Sequence, residues 1–399
     1  MHILLLNEYY PPDSSATAKM ARTVVEALAE RHRVTVLAGR PSYDPTEHYA
    51  WRLLRRETVG NVTVERVGST DFPRFRMKRR IANYLTFSFL AFFRAIFIRC
   101  DAILAMTDPP FCGIIGALVA TLTGRPFVYN IRDMYPDMAV GGSIVRPGLL
   151  ARLWERLHRW ALRRAACVIV LGDDMRDRIV RKGIDPARIV VARDGIEIPR
   201  EVPAADNPVA REIRGDARFV ALHAGNLGFY GAWDTLLAAA SMLGSPAYSI
   251  IFVGEGAEKP RLVSIGGGLA SVRFLPFRPA SEIPFVLSAA DVHIVTVKRG
   301  LEGVIVPSKL YPILAAGRPV LAVCTPESDV ARIVSRAGCG LVADPDDPAA
   351  VASAIRELAS DRERIADMGR RASAIAPEYD RVTQLHKFIL AIEEAVLHA

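Results

Sequence analysis

Short apolar runs alternate with amphipathic stretches along this chain, and the alternation starts twice. In the first half the strand candidates are HILLLNE, RVTVLAG, VTVERVG, DAILAM, PFVYNI and CVIVLG. After ARIVVARDGI, a proline- and charge-rich stretch, EIPREVPAADNPVAREIRGD (197–216), reads as a linker. Beyond it come RFVALHAG, YSIIFVGEG, SVRFLP, DVHIVTV, PVLAV and CGLVAD, with helical patterns such as GAWDTLLAAASML between them. Strand–helix alternation repeated in both halves predicts an α/β chain with two Rossmann-like, doubly wound parallel sheets. The expected domains are residues 1–198 and 199–376, followed by a last segment, 377–399. Its helix, DRVTQLHKFILAIEEAVLHA, either packs back on the first domain or closes the second. Ligands of such folds sit beyond the carboxyl ends of the strands, which here means a cleft between two domains.

A chain of 399 residues, 51% hydrophobic, is too long for one core and suits two domains of ordinary size. Its net charge of +8 fits a partner that carries phosphates: a nucleotide, an anionic membrane face or nucleic acid. Nucleic acid fits worst, because the basic residues are scattered and no RNA- or DNA-binding signature occurs. The cysteines (Cys100, Cys112, Cys167, Cys324 and Cys339) form no CxxC pair, and an odd count argues against a disulfide framework. A reducing, cytoplasmic compartment is expected. The start MHILLLNEYYPP reads as a first strand rather than a signal peptide, and no uncharged run is long enough to span a bilayer.

Neither half carries GxGxxG after its first strand, and GxxxxGK[ST] is absent, which disfavours nicotinamide, flavin and Walker-type sites. Three turns offer backbone N–H groups to phosphate instead: Gly225–Gly231, Gly254–Gly256 and Gly303–Lys309. The third belongs to EGVIVPSKLYPILAAGRPV (302–320), a loop, a short helix and the start of a strand. Ser308 is the expected N-cap, Pro312 fits the first turn, and Gly317 can end the helix. Lys309 then stands at the positive end of a helix, where a bound diphosphate would explain it. A lysine whose charge simply reaches solvent is the other reading.

On the acceptor side, Ser14 and Ser15 in PPDSSATAKM would let a phosphate or a sugar approach the backbone. A simple N-cap at Asp13 or Ser14 is the other reading. Asp133 in IRDMYPD follows a strand and either points into the cleft or caps the next helix. His223 and His293 sit within strands and read as core residues; no histidine–carboxylate cluster suggests a metal. In RFRMKRRIANYLTFSFLAFFRAIFIRC (74–100), five basic residues within seven (74–80) run into a helix expected over 78–99 that is dense in Phe, Leu and Ile. A cationic collar followed by an aromatic-rich helix suits in-plane contact with a membrane. A buried helix with a solvated basic turn remains the alternative.

The segments NEYYPPDSSATAKM, GRPSYDP, IRDMYPDMAV, HAGNLGFYGAWDTLL, FVGEGAEKPRL and VPSKLYPILAAGRPVLA occur in this order and span nearly all of the chain. By them the chain resembles retaining glycosyltransferases of family 4 with the GT-B fold, more narrowly the WbuB-like group that builds bacterial surface polysaccharides. The resemblance implies transfer of a sugar from a UDP or GDP sugar to a lipid-linked saccharide, with retention at the anomeric carbon and with neither metal nor cofactor. It implies an acceptor on polyprenyl diphosphate, reached from the inner face of the cell membrane. Carried onto this sequence, it puts donor contacts at Gly225, Asn226, Gly254, Glu302, Gly303, Val304, Ser308 and Lys309, with Arg278, Lys298 or Arg299 expected to add charge where the family's own basic and acidic groups are missing. Acceptor contacts fall at Ser14, Ser15 and Tyr43, and catalytic duty at Asp133 and Lys309. This chain departs from the family where an Arg and a Lys commonly follow the first strand of the second domain, for Asn226 and Tyr230 stand there. The second of a common glutamate pair is replaced by Pro312, with Glu302 two residues from the place of the first, which is Val304. Two other functions share the architecture: a nonhydrolysing sugar-nucleotide 2-epimerase and a non-catalytic sugar-nucleotide-binding subunit.

Overall fold

The computed structural model describes residues 1–41, 51–72, 76–199 and 201–398; Tyr43 and Arg74 lie outside them. The chain divides into two units, one formed by Met1–Asp194 with Gln384–Ala399 and the other by Gly195–Thr383.

In the first unit the strands are β1 (His2–Leu6), β2 (Arg33–Ala38), β3 (Leu54–Val59), β4 (Val62–Val67), β5 (Ala102–Ala105), β6 (Phe127–Ile131), β7 (Cys167–Val170) and β8 (Ile189–Val191). Among the described residues they form one sheet in the order β3-β4-β2-β1-β5-β6-β7-β8. Every pair is parallel except β3 with β4, a hairpin that the sequence reading did not foresee. LRRETV in β3 lacks an apolar run, and all six of its residues are exposed at the sheet edge. Its charged side chains protect that edge from pairing with other chains.

The second unit holds β9 (Phe219–Ala224), β10 (Tyr248–Val253), β11 (Val272–Leu275), β12 (Val292–Thr296), β13 (Val320–Val323) and β14 (Gly340–Ala343). They form a second sheet, β11-β10-β9-β12-β13-β14, parallel throughout. Central strands such as β1 and β9 are buried on both faces, because helices cover each side. Part of the expected linker is helical: Pro208–Arg214 starts on proline, and the Asn207 side chain accepts from the Ala210 N–H at 2.8 Å.

The C-terminal helix Arg381–Leu397 places Phe388, Ile389, Ala391, Ile392 and Ala395 in the core formed by β1, β2, β5 and the helix Ala16–Ala29. Its Gln384 side chain accepts from the Arg193 N–H at 3.0 Å, next to the point where the chain leaves the first unit. Ile392 is wholly buried. Replacing it by Ala should destabilise the first unit by about 2–5 kcal/mol, the range for an emptied core position. Urea unfolding followed by hydrogen exchange should show lost protection in β1 and β2, with β9 and β12 unaffected.

Candidate functional site

In each sheet, strand order reverses at one place. There the loops leaving two neighbouring strands diverge and open a crevice at their carboxyl ends. In the second unit the reversal falls between β9 and β12. The loop after β9 brings Gly225, Asn226 and Tyr230; the segment after β12 brings Glu302, Gly303, Val304, Ser308 and Lys309. Gly225 sits at φ +141 and Gly254, after β10, at φ +143, backbone that suits only glycine. A Cβ on Gly225 would fall 2.0 Å from Lys309 Cε, and one on Gly254 would fall 2.1 Å from the Gly225 carbonyl oxygen. The Gly225 N–H donates to the Val253 carbonyl at 2.8 Å and the Leu227 N–H to the Glu255 carbonyl at 2.8 Å, which laces the two turns together.

The lysine therefore lies across a glycine turn. Its ammonium donates to the Tyr230 hydroxyl at 3.3 Å and stands 5.4 Å from the centre of that ring. Tyr230 in turn donates to the Asn226 carbonyl at 2.6 Å. Among the described residues no carboxylate pairs with Lys309. Burial lowers its pKa to about 8, since removing water penalises the charged form. Lys309 also helps to hold His223 neutral, at a pKa of about 3, second to the burial of that ring.

The remaining donor-side candidates vary in their freedom. Ser308 is exposed and does not cap the helix as expected. The helix is Leu310–Ala315, six residues, with Lys309 itself at the cap position and the Leu310 N–H bonded to the Pro307 carbonyl at 3.2 Å. So short a helix aligns few peptide dipoles, and the ammonium is the larger charge. Glu302 accepts from the Gly300 N–H at 2.8 Å, closing its own turn. Gly303 takes φ +67, and Val304 is buried, so only its backbone can face a ligand. Arg278 is held by Glu212 and by Glu282 at 3.4 Å.

In the first unit the reversal falls between β1 and β5. Glu8 follows β1, Asp108 follows β5, Asp133 follows β6 and Asp194 follows β8, so four carboxylates gather on one edge. Arg132 donates to Asp194 at 2.6 Å, and the Asp133 N–H reaches the Thr107 hydroxyl at 3.4 Å. Burial first, then the Asp108 charge, raises the Asp133 pKa to about 7, with Arg132 opposing. The carboxyl can thus hold or release a proton near neutrality. It caps no helix: Asp137–Gly141 begins after Pro136 without a side-chain cap. Ser15 does cap a helix, accepting from the Ala18 N–H at 3.0 Å, while Ser14 is exposed. Glu8, Asp108, Arg132 and Asp194 escaped the sequence reading; the order of strands, which sequence does not print, is what joins them.

The basic-aromatic segment forms the helix Met77–Phe97. One ridge, with Phe87, Ala91 and Ala95, is buried, and Arg94 turns inward to a bidentate pair with buried Glu65 at 2.7 and 2.9 Å. On the opposite ridge every fourth residue is a large exposed apolar side chain: Met77, Ile81, Leu85, Phe89, Phe93 and Phe97. Arg76, Lys78 and Arg79 flank its start, exposed. Leu118 and Leu122, and beyond them Leu149, Leu150 and Leu153, add exposed apolar surface on the next two helices of this unit. No helix among the described residues is long and apolar enough to cross a membrane.

Comparison with known proteins follows the two units. A glycosyl transferase 4-like domain model matches residues 15–195, and a glycosyl transferases group 1 model matches residues 218–361. The chain is 27% identical over 336 residues to the probable glycosyltransferase WbjE of Pseudomonas aeruginosa, covering 80% of this chain and 82% of that one. It is 26% identical over 376 residues to the putative colanic acid biosynthesis glycosyl transferase WcaI of Escherichia coli K12, covering 90% and 92%. Among solved structures, sucrose-phosphate synthase from Thermosynechococcus elongatus superposes with a TM-score of 0.77 at 16% identity, covering 100% of both chains. Anabaena HepE in complex with UDP superposes at 0.70 and 18% identity, covering 99% of this chain and 100% of that one.

The lysine geometry makes a checkable claim. An anion held there would favour the protonated form of Lys309, whose pKa burial lowers to about 8. UDP affinity, titrated from about pH 6.5 to about 9.5, should therefore hold steady at first and then fall by up to about tenfold per pH unit. Lys309→Ala should weaken UDP binding by about 1–3 kcal/mol at neutral pH and flatten that profile. An unchanged profile in the variant would remove the ammonium from the site.

Proposed function

Because the chain belongs to the GT-B glycosyltransferases, we propose that it moves a sugar from a nucleoside diphosphate sugar to a lipid-linked saccharide during the building of a surface polysaccharide. Support for the donor class comes from one observation above all: a half-buried ammonium, without a carboxylate, laid over a glycine turn at the switch point of the second sheet. HepE has been solved with UDP and with UDP-glucose, which supports a uridine donor here, with a GDP sugar as the alternative. The pathway is supported by the likeness to WcaI, named for colanic acid biosynthesis.

In this reading the donor diphosphate takes its charge balance from Lys309 and from the glycine turns, with Tyr230 steadying the ammonium. The leaving diphosphate becomes more negative as the bond to the sugar breaks, so Lys309 stabilises the transition state more than the ground state. No divalent ion is required, and the anomeric configuration is retained. Asp133 receives the acceptor hydroxyl or faces the positive charge that develops on the sugar. A carboxyl that titrates near pH 7 suits either duty. Asn226, Gly225, Gly254, Gly303 and Val304 contribute backbone to the donor, Ser308 and Glu302 border it, and Arg278, engaged by two glutamates, shapes the loop after β11. Ser14, Ser15 and Tyr43 are kept for the acceptor.

The test is transfer from a panel of UDP and GDP sugars to polyprenyl diphosphate-linked saccharides in the presence of EDTA, with the anomeric product read by NMR. Asp133→Asn should lower kcat by about 10²-fold or more and leave UDP affinity unchanged. Conversion of a nucleotide sugar without acceptor would point to an epimerase instead.

The acceptor's lipid anchor places the protein on the inner face of the cell membrane, with the exposed ridge of Met77–Phe97 in the head-group region and its basic start on anionic lipid. Wild type should co-sediment with phosphatidylglycerol vesicles at about physiological ionic strength. Phe89→Ser with Phe93→Ser should move most of the protein to the supernatant. Neutralising Arg76, Lys78 and Arg79 should do the same on anionic vesicles alone. Equal recovery of all three proteins in the supernatant would refute the membrane contact.

A further inference from the structure

Parallel strands gather their amino ends on the edge opposite their carboxyl ends, and in the second unit this far edge carries charge that the donor site does not use. Between the starts of β9, β12 and β13 and the flank of the helix Arg362–Ile375 lies a cavity of about 500 Å³. Arg218, Arg318, Arg362 and Arg370 line it, with a single acid, Asp291. That acid is already committed, one oxygen accepting from Arg214 at 2.8 Å and from the Val220 N–H at 2.8 Å. Arg370 is held by Asp367 at 3.0 Å. The guanidinium groups of Arg218, Arg318 and Arg362 make neither a hydrogen bond nor a contact ion pair with any described residue.

Two of the three, Arg218 and Arg362, are exposed, and water satisfies them. Arg318 is different. It is half-buried on the turn that follows the Leu310–Ala315 helix, and burial pulls its pKa below the usual guanidinium value, with the Asp291 charge opposing and Arg214 adding repulsion. A cation that has lost part of its water and gained no contact partner, only the pull of an acid that Arg214 already engages, is a cost that a bound anion would offset. The walls beside it are apolar, with Phe219 and Ile365, which strengthens any charge–charge contact made there. The volume is that of a small-molecule site, and the planar guanidinium fork matches phosphate oxygens. We infer that this cavity binds a small, soluble, phosphate-bearing anion, gripped by Arg218, Arg318 and Arg362 on the opposite edge of the sheet from Lys309.

Inorganic pyrophosphate is the probe, titrated calorimetrically into the full chain at about physiological ionic strength. The expected result is a site that Lys309→Ala retains, that Arg218→Ser with Arg362→Ser weakens by about tenfold or more, and that Arg318→Gln alone also weakens. Thermal unfolding of the double variant, altered only at exposed positions, should match wild type. Three outcomes would overturn the inference. The first is wild type without pyrophosphate binding at millimolar concentration; the second is a single site that vanishes with Lys309→Ala and survives in the arginine variants; the third is equal binding by all four proteins, which marks an adventitious ion only. Arginine-dependent sedimentation with phosphatidylglycerol vesicles, without pyrophosphate binding, would also overturn it by moving the anion to a lipid surface.

Discussion

An ammonium group half-withdrawn from water and offered no carboxylate by the described residues governs the second unit. Lys309 leans on a tyrosine hydroxyl and ring, and everything near it is arranged to make room. Its side chain occupies the space where Gly225 would otherwise bear a Cβ; Gly254 is bare because the Gly225 carbonyl presses against it. Each glycine therefore answers to the residue before it in a chain of close approaches that starts from one cation. Filling the first of these places would displace the Lys309 side chain, and filling the second would displace the Gly225 backbone.

The two sheets share a plan and differ in charge. Along its carboxyl edge the first sheet gathers Asp108, Asp133 and Asp194 around Arg132, while the second presents Lys309. An acidic edge repels a diphosphate and suits a hydroxyl-bearing sugar; a cationic edge does the reverse. The same architecture thus offers two kinds of reception, selected by a handful of side chains at equivalent places.

Much of this was legible in the residues. Period and punctuation gave the strands and the alternation, because a buried strand between two helices has little choice but to be apolar. What failed was whatever lacked that signature. β3 has no apolar residue turned to a core, so LRRETV was invisible. Ser308 looked like a cap, but the Pro307 carbonyl had already taken the Leu310 N–H. Part of the linker is a helix, since Asn207 and Pro208 supply a start that proline-rich composition disguised. Lys309 was visible through its odd position, whereas the carboxylates around Asp133 come from four separate strands and meet only once strand order is known. The exposed apolar ridge shows the same limit: the helix was plain, but its outward side became clear only when Phe87 and Arg94 were seen turned inward.

The first unit is written in two pieces, with the whole second unit between them. A ribosome making the chain in order delivers β1 and β2 early and the helix that covers them last. Until Phe388 and Ile392 emerge, a strip of apolar surface on the nascent sheet stays open while nearly two hundred intervening residues are made. The second unit, continuous in sequence, has all its parts before then. Its folding is local in time; that of its neighbour waits on the end of synthesis.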